Sequence, residues 1–304
     1  MEKIIIILGA TAVGKSEIAI QCASKLNGEI ISADSMQVYK ELNIGTAKIK
    51  KNEMQKIPHH LINIKHFNES YNVWEFVSDC NKVIEKILSK NKVPIIVGGT
   101  NLYVKALIEN YHFDNIKRDN NLREKLNTIA EISGLNVLYE MLKKQNPAKA
   151  KKISSNDKYR ILRALECSTL QDNESENVKY LNEKPRYEYK LYALNLPREK
   201  LYELINKRVD LMIGNGLLDE VKELKNKGLN LEMQAGKSIG YREFLEYLDG
   251  KIAYEYAVEK IKQHSRNYAK RQYTWLNSME NIIWLDALDK EKAVEIIIQN
   301  ESLI

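Results

Sequence analysis

The protein has 304 residues, of which 44% are hydrophobic, and a formal net charge of +6. This length suits about two domains of ordinary size, and the hydrophobic content can fill a core. The positive excess suits a polyanionic partner but is also common in proteins that have none, so charge alone does not decide the function. The three cysteines, Cys22, Cys80 and Cys167, are scattered and indicate neither a disulfide framework nor a zinc cluster.

The apolar run IIIIL at the start of the sequence is much shorter than the ~20 residues of a membrane span. It leads into a glycine-rich turn and not into a small-residue cleavage site. Because the cysteine usage also fits a reducing compartment, we expect a cytoplasmic protein that does not enter a membrane.

Short apolar runs bounded by turn residues predict buried parallel strands. They are KIIIIL from Lys3, EIISAD from Glu29, VPIIVGG from Val93, YKLYALNL from Tyr189 and NIIWLD from Asn281. Between the first two runs, KSEIAIQCASKL places its apolar residues at helical spacing, which gives a strand, loop, helix and strand in order. The prediction is an α/β fold with a P-loop NTPase-like parallel sheet flanked by helices.

The middle of the chain differs, because residues 113–185 show helical periodicity and no convincing strand. We therefore predict an all-helical insertion domain at 113–185 within an α/β core formed by 1–112 and 186–304. The last long helix, IAYEYAVEKIKQHSRNYAKRQYTWLNS, carries an excess of basic over acidic residues. This excess favours RNA contact somewhat, although an ordinary charged helix face remains an alternative.

The segment GATAVGKS, Gly9 to Ser16, matches the phosphate-loop pattern G-x-x-x-x-G-K-[ST]. Its glycines let backbone N–H groups point inward at a helix N-terminus, where the helix dipole favours anions. Lys15 would add a positive charge, and the Ser16 hydroxyl would serve as a ligand for Mg²⁺. A chance glycine turn is disfavoured because the motif follows an apolar strand and opens a helix.

Asp34 ends the second predicted strand, in the segment SADSMQVYK. Acidic residues at the carboxyl end of a parallel strand lie in the crevice where α/β folds bind ligands. The local residues leave three roles open for Asp34: a metal ligand, a general base, or an N-cap of the following segment. The third strand runs into Thr100, at the position where a nucleotide-hydrolysing enzyme would carry a second acid.

Several long motifs resemble those of the bacterial tRNA dimethylallyltransferases, also called tRNA isopentenyltransferases, in order and spacing. They are GATAVGKS, IISADSMQVYKELNIGTAK, PHHLIN, IIVGGTNLYVKAL, NDKYRILRALE, SIGYREFLEYLDG and AKRQYTWL. The resemblance extends to about Asn277. It implies transfer of a dimethylallyl group from its diphosphate to N6 of the adenosine immediately 3′ of the anticodon, with Mg²⁺ as cofactor and the tRNA anticodon stem-loop as partner.

The resemblance also implies roles for individual residues. Asp34, Thr100 and Arg242 are implied to act in catalysis, with Asp34 as the general base. Without the resemblance, Arg242 could equally be a solvated helix charge. The diphosphate is implied to bind Gly9, Ala10, Thr11, Ala12, Val13, Gly14, Lys15 and Ser16. Contacts to tRNA are implied for Asp34, Ser35, Met36, Gln37, Thr100, Arg123, Tyr159, Arg160, Arg163, Lys237, Gly240, Tyr241, Arg242, Lys270, Arg271 and Gln272.

The sequence departs from the family pattern in the loop, where Ala10 replaces a proline and Val13 a serine. Because backbone N–H donation survives both changes, we expect activity to persist with altered affinity. Two rival functions stay open, a small-molecule kinase or ATPase using the same loop and a non-catalytic RNA-binding module. We expect a monomer.

Overall fold

A computed structural model describes residues 3–109, 120–170 and 185–302 of the protein. The strands are β1 (Lys3–Gly9), β2 (Gly28–Ala33), β3 (His59–His60), β4 (Val93–Gly98), β5 (Glu188–Asn195) and β6 (Ile282–Asp286). The first helices are α1 (Lys15–Lys25), α2 (Val73–Leu88), α3 (Asn101–Ile108), α4 (Asn120–Ser133), α5 (Leu135–Gln145), α6 (Pro147–Ala150) and α7 (Lys158–Leu170). The later helices are α8 (Arg198–Gly214), α9 (Leu217–Asn226), α10 (Tyr241–Leu248), α11 (Tyr254–Leu276) and α12 (Lys290–Ser302).

The six strands form one parallel sheet in the order β3-β2-β4-β1-β5-β6. The five strands predicted from apolar runs are confirmed. The short edge strand β3 was not predicted, because two histidines carry no apolar pattern; it pairs with Ile30 and Ile31 of β2. The α/β fold with a parallel sheet and flanking helices is thus confirmed.

Alternation along β1 directs side chains into two hydrophobic cores, one on each face of the sheet. Ile4, Ile6 and Leu8 face the core formed with α2, α3, α10 and α11. Ile5 and Ile7 face the core formed with α1, α8 and α12. Helices cover both faces, which explains why β1 is apolar at nearly every position.

The chain divides into two compact units, one of residues 1–110 and 184–304 and the other of residues 111–183. The second unit contains α4 to α7, whose buried residues form a core of their own. The predicted boundary at residues 112–113 lies outside the described residues, as does the polar stretch of residues 171–184. Among the described helices, the longest apolar stretches are too short or too polar to cross a membrane.

Candidate active site

Three neighbouring strands end at the same edge of the sheet and bring the predicted site residues together. β1 runs into the phosphate loop at Gly9, β2 runs into Asp34, and β4 runs into Gly99 and Thr100. The parallel register pairs Ala33 of β2 with the last residue of β4. This edge is where parallel α/β sheets bind their ligands.

The phosphate loop has the backbone shape that its glycines predict. Gly14 adopts φ 89° directly before α1, and Ala12 lies in the left-handed region at φ 69°. The two residues that depart from the family pattern, Ala10 and Val13, are both buried. A Cβ on Gly9 would lie 2.9 Å from Cγ2 of Val13, so this valine fills the space beneath the loop.

Lys15 has no anionic partner within hydrogen-bond distance among the described residues. Its Nζ donates to the carbonyl oxygens of Gly9 at 2.9 Å and Ala10 at 2.6 Å. Burial, and then the charge of Arg208, lower the pKa of Lys15 to about 7, while Asp34 acts in the opposite direction. A bound anion would favour the charged lysine, which makes Lys15 a group that responds to a phosphate ligand.

Asp34 uses only one carboxylate oxygen to hold the local backbone. Its Oδ1 accepts hydrogen bonds from the backbone N–H of Met36 at 2.8 Å and of Gln37 at 3.2 Å. The capping interpretation is therefore confirmed for Oδ1. Within the described residues Oδ2 has no hydrogen-bond partner, so it remains available to a ligand. The Thr100 hydroxyl accepts from the N–H of Ser35 at 3.1 Å and fixes the next residue.

Two adjoining cavities open at this edge of the sheet. The phosphate cavity, lined by the loop residues Thr11, Ala12 and Gly14 to Ser16, has a volume of about 530 Å³. The apolar cavity has a volume of about 280 Å³ and is bounded by aliphatic side chains of α8 and α11 and by residues 237–240. The residues that line both cavities are Thr11, Asp34, Arg208 and Tyr268. Asp34 therefore stands at the junction between an anion-binding space and an apolar one.

Arg208 lies at the site and was not named in the sequence analysis. It lies on α8, lines both cavities, and has no hydrogen-bond partner among the described residues. Burial lowers the pKa of Arg208, and the charge of Asp34 opposes that shift. In the sequence, Arg208 shares the helical face of the apolar residues Ile205 and Met212, which places it on the inward face of α8 but does not predict the cavity that it reaches.

Ser16 fits the predicted role of a magnesium ligand. Its side chain is exposed at the start of α1, lines the phosphate cavity, and its hydroxyl has no hydrogen-bond partner among the described residues. Mg²⁺ is commonly held by few protein oxygens together with substrate phosphates, which suits one hydroxyl beside a phosphate loop.

Arg242 and Tyr241 lie outside the two cavities. The Arg242 guanidinium ion-pairs with Glu243 at 3.0 Å and lies 2.8 Å from Nδ1 of His264. The catalytic role of Arg242 stays a prediction; the arginines that line the cavities are Arg208, at both, and Arg271, at the apolar cavity. Tyr241 is fully buried, and its hydroxyl donates to Glu220. Its contact with tRNA stays a prediction that the burial of its side chain does not favour.

The other basic segments of the first unit are partly accessible. Lys237, Lys270 and Arg271 are exposed, and Lys237, Gly240 and Arg271 line the apolar cavity. Gln272 is only 4% exposed, hydrogen-bonds to the phosphate loop and lines the phosphate cavity, and its contact with tRNA stays a prediction.

The segment DSMQ is divided between the two cavities. Ser35 and Met36 line the apolar cavity, whereas Gln37 lines the phosphate cavity. The Gln37 amide donates to the carbonyl of Thr46 at 3.3 Å, and its Oε1 lies 3.3 Å from the hydroxyl of Ser32. Met36 is therefore better placed than Gln37 to contact a base in the apolar cavity.

In the second unit, the predicted RNA-binding residues differ in exposure. Tyr159 and Arg160 are exposed. Arg123 is mostly buried and pairs at 2.9 Å with the buried carboxylate of Glu166, which also pairs with the half-exposed Arg163 at 3.4 Å. The RNA contact of Arg123 stays a prediction; in the structure its guanidinium balances the buried charge of Glu166.

With this geometry in place, comparison with known proteins identifies the family. A family model described as IPP transferase matches residues 37–279. The chain belongs to the IPP transferase family. The match covers the segments that carry Thr100, Arg208 and Gln272, and the family resemblance found in the sequence is confirmed.

Solved structures of the same family share the fold over nearly the whole chain. A tRNA isopentenylpyrophosphate transferase from Bacillus halodurans is 37% identical, with 98% of this chain and 96% of that chain covered and a TM-score of 0.74. A tRNA delta(2)-isopentenylpyrophosphate transferase from Staphylococcus epidermidis is 39% identical over 100% of both chains, with a TM-score of 0.75. A eukaryotic dimethylallyltransferase acting on tRNA is 33% identical, with 94% of this chain and 74% of that chain covered and a TM-score of 0.78.

Proposed function

We propose that the protein transfers a dimethylallyl group from dimethylallyl diphosphate to N6 of the adenosine immediately 3′ of the anticodon in tRNA. The observation that carries this proposal is the position of Asp34 at the junction of the two cavities, with Oδ2 available. An anion-binding loop lies on one side of that carboxylate and an apolar space on the other. Prenyl transfer needs one space for the diphosphate leaving group and another for the adenine, with the carboxylate between them.

The phosphate loop and two cations stabilise the leaving group in this proposal. Breaking the allylic C–O bond sends negative charge onto the diphosphate, so donors and cations must stand where that charge develops. The loop N–H groups, Lys15 and Arg208 line the phosphate cavity and supply this environment. Mg²⁺ held through Ser16 and diphosphate oxygens would neutralise part of the same charge.

Asp34 takes the proton that the adenine amine loses. An exocyclic amine is a poor nucleophile, and a carboxylate within hydrogen-bond reach of N6 removes its proton as the new C–N bond forms. Oδ1 remains bound to the N–H groups of Met36 and Gln37, which fixes the orientation of the carboxylate. Thr100 holds the backbone of Ser35 and so supports the same turn.

The exposed cations accept the RNA backbone in this proposal. An adenosine in a stem-loop must leave the stack before N6 can react, and the apolar cavity with Met36 on its wall offers a place for the base. Lys237, Lys270 and Arg271 are the exposed basic residues of the first unit that we assign to phosphates. Each phosphate contact makes RNA binding weaker as the salt concentration rises.

One assay separates this function from its rivals. The purified protein is mixed with labelled dimethylallyl diphosphate, Mg²⁺ and unmodified tRNA, with tRNA that already carries the modification as the matched control. We expect label on the unmodified tRNA alone, located by nuclease mapping to the adenosine beside the anticodon. Hydrolysis of a nucleoside triphosphate without transfer would favour the kinase, and RNA binding without either reaction would favour a binding module.

The remaining expectations stay predictions. We propose that the protein acts in the cytoplasm, where tRNA is modified, and that it acts as a monomer. Sedimentation at assay concentrations, with and without tRNA, measures the second of these.

A further inference from the structure

A buried glutamine connects the phosphate loop to two other elements of the site. Gln272 of α11 accepts a hydrogen bond through Oε1 from the N–H of Thr11 at 2.9 Å. Its Nε2 donates to the carbonyl of Gly99 at 2.9 Å, and its backbone carbonyl accepts from Nδ2 of Asn101 at 3.0 Å. One residue therefore joins the loop after β1, the end of β4 and the start of α3.

The amide packs closely against the backbone of Gly99. A Cβ on Gly99 would lie 2.2 Å from Nε2 of Gln272, so a side chain at position 99 would displace the amide. Burial of both polar ends of the amide requires that both be hydrogen-bonded, and both are. The absence of a side chain at position 99 thus allows the Gln272 amide to make both hydrogen bonds.

The bond to Thr11 divides the donors of the phosphate loop into two groups. The N–H of Thr11 is used by Gln272, whereas the N–H groups of Ala12, Gly14 and Lys15 have no acceptor among the described residues. The occupied donor lies directly before Ala12, whose left-handed backbone is unfavourable for a residue with a side chain. An acceptor at Thr11 holds the start of this turn in place, with the next donors directed to the phosphate cavity.

We propose that Gln272 is a positioning residue for the diphosphate: it fixes the phosphate loop through Thr11 so that the remaining loop N–H groups meet the leaving group. This inference rests on the proposed function, since it assigns the loop to a prenyl diphosphate. Gln272 makes no contact with RNA in this account. Its substitution acts on the donor substrate and not on tRNA.

The variant Gln272→Glu tests the proposal by making the hydrogen-bond pattern depend on pH. A protonated carboxyl group has the shape of the amide, so its carbonyl can accept from Thr11 and its O–H can donate to Gly99. The ionised group instead opposes the Gly99 carbonyl and adds negative charge beside the phosphate cavity. We expect near wild-type behaviour at low pH and, after ionisation, a KM for dimethylallyl diphosphate about ten- to hundredfold higher, the effect of one charge-assisted hydrogen bond.

Every measurement is expressed as the ratio of variant to wild type at the same pH, between pH 5 and 8. This is needed because other titratable or charged groups face the same cavity. They are Lys15, Glu17, Asp34, Lys207, Arg208 and Tyr268. Since both proteins carry them, the part of their titration that does not depend on position 272 cancels in the ratio. A remaining pH dependence comes from the introduced carboxyl group, directly or through its charge on these neighbours.

Two further variants distinguish a loss of positioning at the phosphate loop from a general loss of folding or activity. Gly99→Ala displaces the amide without adding a charge, and we expect a raised KM for the diphosphate at all pH values. Lys270→Gln, on the same helix, is the opposite control, with a raised KM for tRNA and an unchanged KM for the diphosphate. Recovery of Gln272→Glu at low pH shows that this variant folds.

Calorimetric binding of inorganic diphosphate with Mg²⁺ tests the same loop without prenyl transfer. If the wild type binds diphosphate but transfers no prenyl group, the proposed function fails while this assay still tests Gln272. The expected result is pH-dependent loss of diphosphate binding in Gln272→Glu. Diphosphate binding equal to wild type throughout the pH range, or equal losses for diphosphate and tRNA at every pH, would overturn the inference.

Discussion

The two ends of β2 carry charges in opposite states. Near its start, Glu29 is 1% exposed and is contacted by Lys92 at 2.8 Å, His60 at 2.7 Å and Lys90 at 3.2 Å. Burial acts to raise the pKa of Glu29, but the hydrogen bonds from Lys92, His60 and Lys90 outweigh it and lower the pKa to about 2. The buried charge at this end of β2 is therefore paired.

At the other end of β2, the charges lack partners. Oδ2 of Asp34 and the guanidinium of Arg208 have no hydrogen-bond partner among the described residues, and Lys15 donates only to backbone carbonyls. The pKa of Lys15 is low because burial and the charge of Arg208 lower it more than Asp34 raises it. One strand can therefore stabilise the fold at one end and present charges to a ligand at the other. Groups with perturbed pKa values, such as Lys15, indicate a functional site at that second end.

The largest effect is expected from Asp34→Asn, at the end of β2 where the charges lack partners. Asparagine keeps an oxygen for the N–H groups of Met36 and Gln37 but cannot take a proton. We expect a fall of about 10²–10⁴-fold in the single-turnover rate of prenyl transfer, the usual contribution of a general base. Affinity for tRNA, measured by filter binding, should change little; a comparable loss of RNA affinity would count against the base role.

Glu29→Gln changes the end of β2 where the charge is paired. We expect it to lower the stability of the fold and to leave the rate of prenyl transfer per folded molecule unchanged. Removal of the buried carboxylate removes its charge-assisted hydrogen bonds, which costs about 1.5–3 kcal/mol in the free energy of unfolding, because the cationic partners that remain are partly exposed to water. Because the folded pKa of about 2 lies below the ordinary value of 4.5, the carboxylate stabilises the wild type above pH 4.5. That stabilisation is lost as the pH falls through about 2.

Urea unfolding at pH 7, 4 and 3 measures both parts of this prediction. The wild type should lose stability across that range, and the variant should lose less of it. Equal acid sensitivity of the two proteins would show that Glu29 is not the titrating group.

Arg208→Gln should have the next largest effect on prenyl transfer, with Arg242→Gln as its matched control. If Arg208 stabilises the leaving diphosphate, its loss lowers kcat about 10²–10³-fold, as for other groups that meet developing charge. Arg242 is paired with Glu243 away from both cavities, so its substitution should lower kcat less than tenfold. Steady-state kinetics of the two variants decide between these arginines, and the reverse ranking would support the predicted catalytic role of Arg242.

What the sequence could predict about the site depends on whether a feature is set by neighbouring residues or by the packing of distant helices. The strands, the phosphate loop and Asp34 were predictable because each depends on neighbouring residues and on where a parallel strand ends. Arg208 and Gln272 were not, because their roles depend on how α8 and α11 pack against the loop. The motif around Arg242 fixes its position along the chain but does not predict that its guanidinium pairs with Glu243.

The smallest effect concerns the pH dependence of diphosphate binding. The pKa of Lys15 is about 7 without ligand, and a bound anion raises it. Binding above pH 7 must therefore take up a proton, so affinity falls by up to about tenfold per pH unit until the pKa of the complex is reached. Calorimetry in buffers of different ionisation enthalpy measures the proton uptake. Lys15→Arg, whose side chain stays charged, should show a flatter profile; an unchanged slope in this variant would assign the uptake to another group.

The most direct test of the account is a structure of the protein with unmodified tRNA and the unreactive donor dimethylallyl thiolodiphosphate. We predict that the diphosphate lies on the N–H groups of the phosphate loop, and that N6 of the extruded adenosine lies ~2.6–3.2 Å from the carboxylate of Asp34. A base that remains stacked in the RNA, or an Asp34 carboxylate directed away from N6, would contradict the proposed reaction.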